Sequence, residues 1–359
     1  MTETSLSGVN LAETSLDGYY QQAIADMAVR DVFYYQPEWM ELIAQLYGYK
    51  VVPLITQNTT SQITGFLPVC VVKQPFLGKH LVALPFSDYC PLWAVDEASA
   101  HSLVDQAIEL AHRVRANYLE LRCGPDSVLA PRKDLVVEND LYVRWIFPLD
   151  ADTDAVWHSL RKPVQHQIKK SRQKGVDVVI ARQREDMLRY HRLHLQTRCR
   201  KHGMPSQPAR FFLELWDRFA GQGKMLLLLA EYEETVIGGM ILLASGTTVR
   251  YAYGASDSSY LHLAPNNLLM WTAIKWGCEH GYKELDMGRT ARDNEGLMEF
   301  KRRWGAVQEP LSYYYYPGKG GLATTSETSW RYRLLTACWK RLPLSVAEVA
   351  GDRLYRYLG

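Results

Sequence analysis

The stretch Tyr251-Ala-Tyr-Gly-Ala-Ser-Asp257, followed by Leu263-Ala-Pro-Asn-Asn-Leu-Leu-Met-Trp271, predicts a strand, a polar loop and a helix in succession. The strand pattern ends at Gly254, and Pro265 is placed to begin the helix. The first N–H groups of a helix lack partners inside it, so such an end binds phosphate or a developing oxyanion. Asn266 and Asn267 add amide donors there. By itself, an ordinary strand-loop-helix with asparagine capping explains the stretch equally well.

The next strand adds charge to this region. In Glu284-Leu-Asp-Met-Gly-Arg289, we expect Asp286 and Arg289 near the end of a strand, where α/β sheets place their site residues. Strand alternation directs Leu285 and Met287 to the core, and Asp286 and Gly288 to the opposite face. A glycine at that position lets a ligand approach the backbone closely.

A basic helix follows this strand. The segment 296–304 carries three consecutive cations, Lys301, Arg302 and Arg303, and on a helix at most two of them can face one ligand. A solvated helix face explains most runs of charge. Next to Asp286 and Arg289, however, a binding or catalytic site is the better interpretation.

The length of 359 residues exceeds what one hydrophobic core usually organises and predicts two domains. Both halves follow the order helices, antiparallel strands, helix, strand, although no sequence repeat is visible. We expect one unit over 16–149, a second over 150–317, and a basic C-terminal helical segment over 326–359. That last segment either packs back on the first unit or contacts a membrane surface or tRNA.

Helices are expected over 32–49, 155–174 (with a possible early break at Pro163) and 185–201. The first residues, up to about Ser15, are polar and predicted to be disordered.

The composition restricts the classes of function that the protein can have. A net charge of +2 argues against a dedicated nucleic-acid-coating surface but leaves room for a local basic groove. The six cysteines show no spacing typical of a metal site and indicate reduced thiols. The sequence contains neither a secretory signal nor an apolar run of about 20 residues, so we expect a cytoplasmic protein.

Taken together, these motifs resemble the FemAB-like branch of the GNAT-related acyltransferases. The resemblance rests on Tyr-Gly-Ala-Ser-Asp257, Leu-Ala-Pro-Asn-Asn267, Leu-Asp-Met-Gly-Arg289 and Glu-Phe-Lys-Arg-Arg-Trp-Gly305, joined by the basic block 160–175 and by 197–205. It is good over about 150–316 and faint before that, where mainly Pro85-Phe-Ser-Asp-Tyr89 is similar. It implies an α+β fold of two tandem GNAT-like units, with mixed, largely antiparallel sheets flanked by helices, facing a shared cleft.

The resemblance also implies a function. Its members transfer an activated acyl or aminoacyl group, from aminoacyl-tRNA or an acyl thioester, to an amine such as that of a cell-wall peptide or an exopolysaccharide precursor. No tightly bound cofactor is implied. The loop Ala255–Ala264 lacks the glycines of the acetyl-CoA pyrophosphate loop, which favours aminoacyl-tRNA or an atypical donor. The alternative is a catalytically inactive module that binds a ligand in the same cleft.

Three groups of residues are then candidates for the site. The resemblance implies that Lys301 stabilises the carbonyl oxygen or a donor phosphate. We expect Asp286 to accept the proton of the amine, or to pair with Arg289 or Lys301 and hold that cation in place. Arg289 is the third catalytic candidate. The candidates on the donor side are Gly254, Ser256, Asn266, Asn267 and Arg303. The candidates on the acceptor side are Tyr251, Tyr253, Asp88, Arg122 and His202.

Overall fold

The computed structural model describes residues 32–74, 78–124, 129, 132–317 and 330–357, with the backbone alone for 330–335. The predicted disordered stretch up to Ser15, residues 16–31 of the first predicted unit and residues 326–329 of the C-terminal segment lie outside the described residues.

Ten α-helices and twelve strands lie in the described ranges. The helices are α1 (Pro37–Tyr47), α2 (Glu97–Val114), α3 (Thr153–Ser159), α4 (Lys162–Gln173), α5 (Asp186–Gln196), α6 (Ala209–Phe219), α7 (Pro265–Glu279), α8 (Glu295–Trp304), α9 (Trp330–Arg341) and α10 (Leu344–Leu354). The strands are β1 (Lys50–Gln57), β2 (Ile63–Gln74), β3 (Gly78–Val82), β4 (Trp93–Ala94), β5 (Leu119–Cys123), β6 (Val136–Pro148), β7 (Asp177–Ile180), β8 (Met225–Tyr232), β9 (Thr235–Ser245), β10 (Thr248–Ser256), β11 (Glu284–Ala291) and β12 (Val307–Tyr316).

All twelve strands join in one mixed sheet. Its order is β1-β2-β3-β5-β12-β6-β11-β10-β9-β8-β7, with β4 paired to β2. The pairs β3·β5 and β10·β11 are parallel, and the other pairs are antiparallel.

The sheet crosses the expected boundary between the two units at residues 149 and 150. Strand β6, before that boundary, pairs with β11, whereas β12, far beyond it, lies between β5 and β6. Each half therefore contributes a strand to the middle of the sheet, which ties the two halves together through backbone hydrogen bonds. The unit boundaries themselves stay a prediction.

In the part of the sheet formed by the second half of the chain, the two faces carry two separate hydrophobic cores. Along β9, Ile241 and Leu243 belong to one core, while Met240 and Leu242 belong to the other, as strand alternation requires. The face that contains Met240 is covered by α4 and α7. The opposite face packs against α1, α5, α6 and the short 3-10 helix Phe33–Tyr35.

Three predicted helices differ from the structure. The helix expected over 32–49 begins at Pro37, after the 3-10 turn Phe33–Tyr35, because proline is best tolerated in the first helical turn. The helix expected over 155–174 is two helices, α3 and α4, separated at 160–161, with Pro163 in the first turn of the second. The helix expected over 185–201 ends as an α-helix at Gln196 and continues as the π-helical turn Thr197–His202.

The C-terminal helices contact both halves of the chain. The Tyr355 ring packs on Tyr47 and Phe86 with centroids 5.9 and 4.9 Å apart, and Tyr49 Oη donates to the Arg356 carbonyl at 2.6 Å. Helix α9 packs against the turn Thr197–His202, and α10 packs against α5. Within the described residues, no helix is long and apolar enough to cross a bilayer. All six cysteines lie in the described ranges as free thiols.

Candidate active site

The strands β10 and β11 separate in the middle of the sheet. They pair over three positions, from Thr248↔Glu284 to Arg250↔Asp286, and no pairing follows, although β10 continues to Ser256 and β11 to Ala291. Both strands are irregular beyond that point, and Gly288 has a φ of +77°. A positive φ is accessible to glycine without steric cost. The strands therefore diverge into a gap in which backbone groups face an opening rather than a neighbouring strand.

Lys301 lies at this gap. Its Nζ donates to the carbonyl oxygens of Gly288 at 2.9 Å and of Arg289 at 3.3 Å, and the residue is only 2% exposed. Burial lowers the pKa of the ammonium to about 8, against the opposing influence of Asp88 and Asp286. An ammonium has three N–H donors, so the two carbonyls leave one for a ligand oxygen.

A buried charge cluster surrounds the base of the gap; we define it as Asp88, Arg144, Arg250, Asp286 and Arg289. Asp286 Oδ2 accepts from Arg250 Nη1 at 2.6 Å and from Arg144 Nε at 3.1 Å. Its Oδ1 accepts from the Gly288 N–H at 2.7 Å. Asp286 lies in the middle of β11 rather than near its end, because the strand continues to Ala291. The prediction that Asp286 and Gly288 share a face is correct, since Leu285 and Met287 lie in the opposite core.

The second carboxylate of the cluster joins the two halves of the chain. Asp88 Oδ2 accepts from Arg250 Nη2 and, at 3.0 Å, from the Arg289 N–H. Burial raises the pKa of the Asp88 carboxyl, but the charges of Arg250 and Arg289 outweigh this and hold the pKa well below its usual range. Asp88 is therefore a charged anchor in the folded protein.

The predicted residue Arg289 extends the cluster toward two tyrosines. Its Nη1 donates to Tyr313 Oη at 2.8 Å, and its guanidinium lies 4.2 Å from the Tyr142 ring centroid. Tyr313 Oη in turn donates to the Asp88 carbonyl at 2.8 Å. The guanidinium is thus held by an aromatic face, a hydroxyl and a carboxylate, which fixes its orientation.

A cavity of about 320 Å³ opens on the same face as the cluster. Its lining includes the cluster residues Arg144, Arg250 and Asp286, together with Tyr34 and Glu284. The Arg250 Nε is buried and has no hydrogen-bond acceptor in the described part of the chain. The cavity is therefore lined by a charged hydrogen-bond donor and by carboxylates. It is large enough for a small polar group.

Four of the five predicted donor-side residues lie at the end of β10 and in the first turn of α7. The amide of Asn266 donates to Ser256 Oγ at 3.3 Å, and Asn267 follows it in the first turn of α7. Strand β10 ends at Ser256 rather than at Gly254, and the expected loop is mostly the 3-10 helix Ser258–Leu263. A side chain at Gly254 would overlap the Tyr251 hydroxyl, so a larger residue here would require the Tyr251 side chain to move.

The remaining predicted residues are dispersed. Arg303 is 63% exposed and pairs with Glu299 at 2.9 Å, on the solvent side of α8. Tyr253 packs in an aromatic group with Phe211 and Phe212, with centroids 5.8 and 5.6 Å apart.

Of two further predicted acceptor residues, Arg122 lies beside the cluster and His202 does not contact it. Arg122 donates to Glu120 at 2.7 Å and to the Ser87 carbonyl at 2.5 Å, beside Asp88. His202 belongs to the π-helical turn that packs against α9, and it has no described contact with the cluster.

The sequence analysis missed Arg144 and Arg250. Each is a single arginine inside an otherwise apolar strand, in Tyr-Val-Arg-Trp-Ile and Thr-Val-Arg-Tyr. Burying a charge is costly unless it is paired, so an arginine in such a pattern indicates a carboxylate partner on a neighbouring strand. The described residues contain no group of three or more His, Cys, Asp or Glu side chains that could hold a metal ion.

The sequence around the site is similar to that of known proteins. Residues 158–302 match the family described as acetyltransferase (GNAT) domain. The chain is 36% identical over 97 residues to a lipid II:glycine glycyltransferase from Staphylococcus haemolyticus (strain JCSC1435), covering 25% of this chain and 23% of that protein. It is 33% identical over 91 residues to the Staphylococcus aureus protein of the same name, covering 23% and 22%. The chain spans less than a quarter of the length of these curated relatives.

Solved structures show the same fold over most of the chain. A structure of FemX has a TM-score of 0.64 at 16% identity and covers 82% of this chain and 94% of that one. A tandem GNAT protein from the clavulanic acid biosynthesis pathway has a TM-score of 0.51 at 10% identity, covering 77% and 93%. These similarities confirm the predicted fold class of tandem GNAT-like units. Residues 158–302, which include Asp286, Arg289 and Lys301, are therefore similar to a GNAT acetyltransferase domain, and about a quarter of the chain is similar in sequence to the lipid II:glycine glycyltransferases.

Proposed function

We propose that this protein is an N-acyltransferase that moves an activated acyl or aminoacyl group onto an amine. The single observation that carries the proposal is the buried Lys301 ammonium at the point where β10 and β11 separate. Cations are rarely buried without a carboxylate partner at hydrogen-bond distance unless their charge is used.

The proposed reaction is attack of a neutral amine on an ester or thioester carbonyl carbon. The new C–N bond pushes the carbonyl electrons onto oxygen, and collapse of this intermediate expels the alcohol or thiol, which takes up the proton released by the amine. The third N–H of Lys301 is available to stabilise the oxyanion. A cation fixed in a buried site acts more strongly than one in water because the surrounding dielectric is lower.

We propose a holding role for Asp286 rather than that of the general base. Its two oxygens already accept from Arg250, Arg144 and the Gly288 N–H. Both oxygens are therefore engaged in holding neighbouring groups in place. By fixing the Gly288 N–H, Asp286 orients the backbone whose carbonyl holds Lys301.

The acceptor amine is proposed to enter through the cavity beside the cluster. Glu284 lines this cavity without an ion pair among the described residues and suits an ammonium before its deprotonation. The free Arg250 Nε suits an oxygen of the same ligand. The homologous glycyltransferases are named for an acceptor, lipid II, which favours an amine of a cell-wall precursor, with an exopolysaccharide amino sugar as the alternative.

The test is transfer by the purified protein in the presence of one donor and one acceptor at a time. Donors are aminoacyl-tRNA and acyl-CoA; acceptors are a lysine-containing cell-wall pentapeptide and an amino-sugar oligomer. Mass spectrometry is expected to find an acylated acceptor with at least one pair. Binding of a donor or acceptor without product from any pair would support the alternative, an inactive binding module.

We further propose a location in the cytoplasm and a peripheral contact of α10 with the membrane. The free cysteines suit a reducing compartment. Val346, Val349 and Leu354 are 50%, 57% and 46% exposed on α10, next to Arg353. Basic residues beside exposed apolar ones suit an anionic interface. In a vesicle-sedimentation assay, Val346→Glu/Val349→Glu is expected to release the protein from phosphatidylglycerol vesicles.

A further inference from the structure

The C-terminal segment is attached to one half of the chain and ends on the other. Asp352 of α10 pairs with Arg210 of the predicted second unit at 2.9 Å. Directly after α10, the ring of Tyr355 stacks on Phe86 of the predicted first unit, with centroids 4.9 Å apart and planes inclined by 27°. Tyr355 is only 7% exposed, so this contact belongs to the interior of the protein.

The backbone around Phe86 has an unfavourable conformation. Phe86 lies in residues 84–88, which we call the Phe86 turn, and its φ is +64°, while that of Leu84 is +48°. Side chains other than glycine rarely adopt positive φ, because the Cβ atom crowds the backbone. Such a conformation persists only where its surroundings fix it. The rings of Tyr47 and Tyr355 pack on Phe86 at 5.0 and 4.9 Å, and Tyr355 thereby contributes to holding the turn.

The Phe86 turn ends at Asp88, which holds one end of a peptide group at the reaction centre. Asp88 Oδ2 accepts from the Arg289 N–H at 3.0 Å. The carbonyl of the same peptide group belongs to Gly288, and it accepts from Lys301 Nζ at 2.9 Å. A peptide group is planar, so its N–H and its carbonyl turn together. Asp88 and Lys301 therefore hold opposite ends of one rigid unit.

We propose that Tyr355 is a positioning residue for Lys301, an inference that rests on the proposed acyltransferase function. Packing of Tyr355 on Phe86 holds the turn, and the turn presents Asp88 to the Arg289 N–H. A rotation that frees this N–H from Asp88 also moves the Gly288 carbonyl away from Lys301. The ammonium then loses one of the two acceptors that fix the direction of its third N–H.

The first test is amide hydrogen exchange, followed by NMR, which needs no substrate. We expect Tyr355→Ala to accelerate exchange of the Arg289 amide about tenfold more than exchange in β8. Phe86→Ala removes the same contact from the other side, keeps the C-terminal segment intact and should have the same local effect. The control is Trp339→Ala: this half-buried residue of α9 packs near Leu195 instead. It should leave exchange of the Arg289 amide within about twofold of that in the natural protein.

The second test is a double-mutant cycle on kcat for the donor and acceptor that react. We expect Tyr355→Ala to lower kcat roughly tenfold and Asp88→Ala at least as much, because small displacements of a reacting group are costly. If Tyr355 acts through Asp88, Tyr355→Ala/Asp88→Ala should lose no more than Asp88→Ala alone. Tyr355→Phe, which keeps the ring, should retain the kcat of the natural protein.

The outcomes separate this inference from the proposed function. Unchanged exchange of the Arg289 amide in both Tyr355→Ala and Phe86→Ala would overturn the inference, as would losses of kcat that multiply in the double variant. Equal acceleration in Trp339→Ala would also overturn it, because loosening of the whole C-terminal segment would then explain the effect. Absence of transfer by the natural protein from every donor would overturn the proposed function, and hydrogen exchange would still decide whether Tyr355 fixes the peptide group.

Discussion

The buried charge cluster and the α4 surface both contain cationic side chains, but the cations of the first are paired with carboxylates and those of the second are not. In the cluster, Arg250 bridges Asp88 and Asp286, so that positive and negative charges lie in direct contact inside the protein. Four cations lie on α4 and two more lie at its ends, and none has an ion pair among the described residues; these six form the α4 surface: Arg161, Lys162, Lys169, Lys170, Arg172 and Lys174. Buried, paired charges set geometry and are poorly screened by salt, whereas exposed, unpaired charges act at a distance and are strongly screened. We therefore expect high salt to leave the geometry of the first region unchanged and to weaken the electrostatic field of the second.

Removing Arg250 should have the largest effect, because it leaves two buried carboxylates without their shared partner. We expect Arg250→Met to lower the free energy of unfolding by about 3–5 kcal/mol. Urea unfolding followed by circular dichroism measures this change. The matched control is Arg113→Met, which breaks an exposed pair with Glu109.

Replacing Asp88 in the Arg250→Met variant tests whether uncompensated charge causes the loss of stability. If the loss comes from uncompensated charge, Arg250→Met/Asp88→Asn should recover part of the stability lost in the single variant. A double variant that is still less stable than Arg250→Met would show that the arginine stabilises the fold by packing instead.

Lys301→Met should have the next largest effect, on catalysis rather than on folding. Loss of one oxyanion donor typically lowers kcat by about 10²–10³-fold. We expect that loss with little change in Tm, because burial already disfavours the lysine charge and methionine fills a similar volume. Steady-state kinetics with a saturating donor measure it. Arg302→Met, on the same helix but 50% exposed, is the control and should keep its kcat.

The pH dependence distinguishes two roles for Lys301. Burial lowers its pKa to about 8, so the ammonium loses its proton as the pH rises through that value. If the charge stabilises an oxyanion, kcat should have a descending limb near pH 8 that is missing from the residual activity of Lys301→Met. A rate that rises through pH 8 in the natural protein alone would instead assign the neutral amine as the base.

The lowered pKa of Lys301 also predicts how the free energy of unfolding depends on pH. Between the folded pKa of about 8 and the ordinary value of 10.5, the unfolded chain binds more protons at this position than the folded protein. The contribution of Lys301 to the free energy of unfolding therefore becomes more favourable as the pH rises through this window. The difference between the natural protein and Lys301→Met, measured by urea unfolding at pH 7 and pH 10, isolates it from other groups.

Local patterns in the sequence predicted the strand and helix types, but not the pairing between distant strands. The alternation of Leu285, Asp286 and Met287 was sufficient to assign both faces of β11. The placement of β12 between β5 and β6 depends on contacts nearly 200 residues apart, for which the strand pattern contains no signal. For the same reason Asp286 was expected to pair with Arg289 or Lys301, close in sequence, whereas its partners are Arg144 and Arg250 on neighbouring strands.

The smallest expected effect concerns Arg303, which sequence proximity to Lys301 made a candidate for donor binding. At 63% exposure it can offer at most one screened contact to a donor phosphate. We expect Arg303→Gln to raise the KM for aminoacyl-tRNA by about threefold to fivefold at physiological salt and to leave kcat unchanged. Arg302→Gln, which pairs with the same Glu299, serves as the control. If the two variants have the same donor KM, Arg303 is a solvated partner of Glu299 with no part of its own in donor binding.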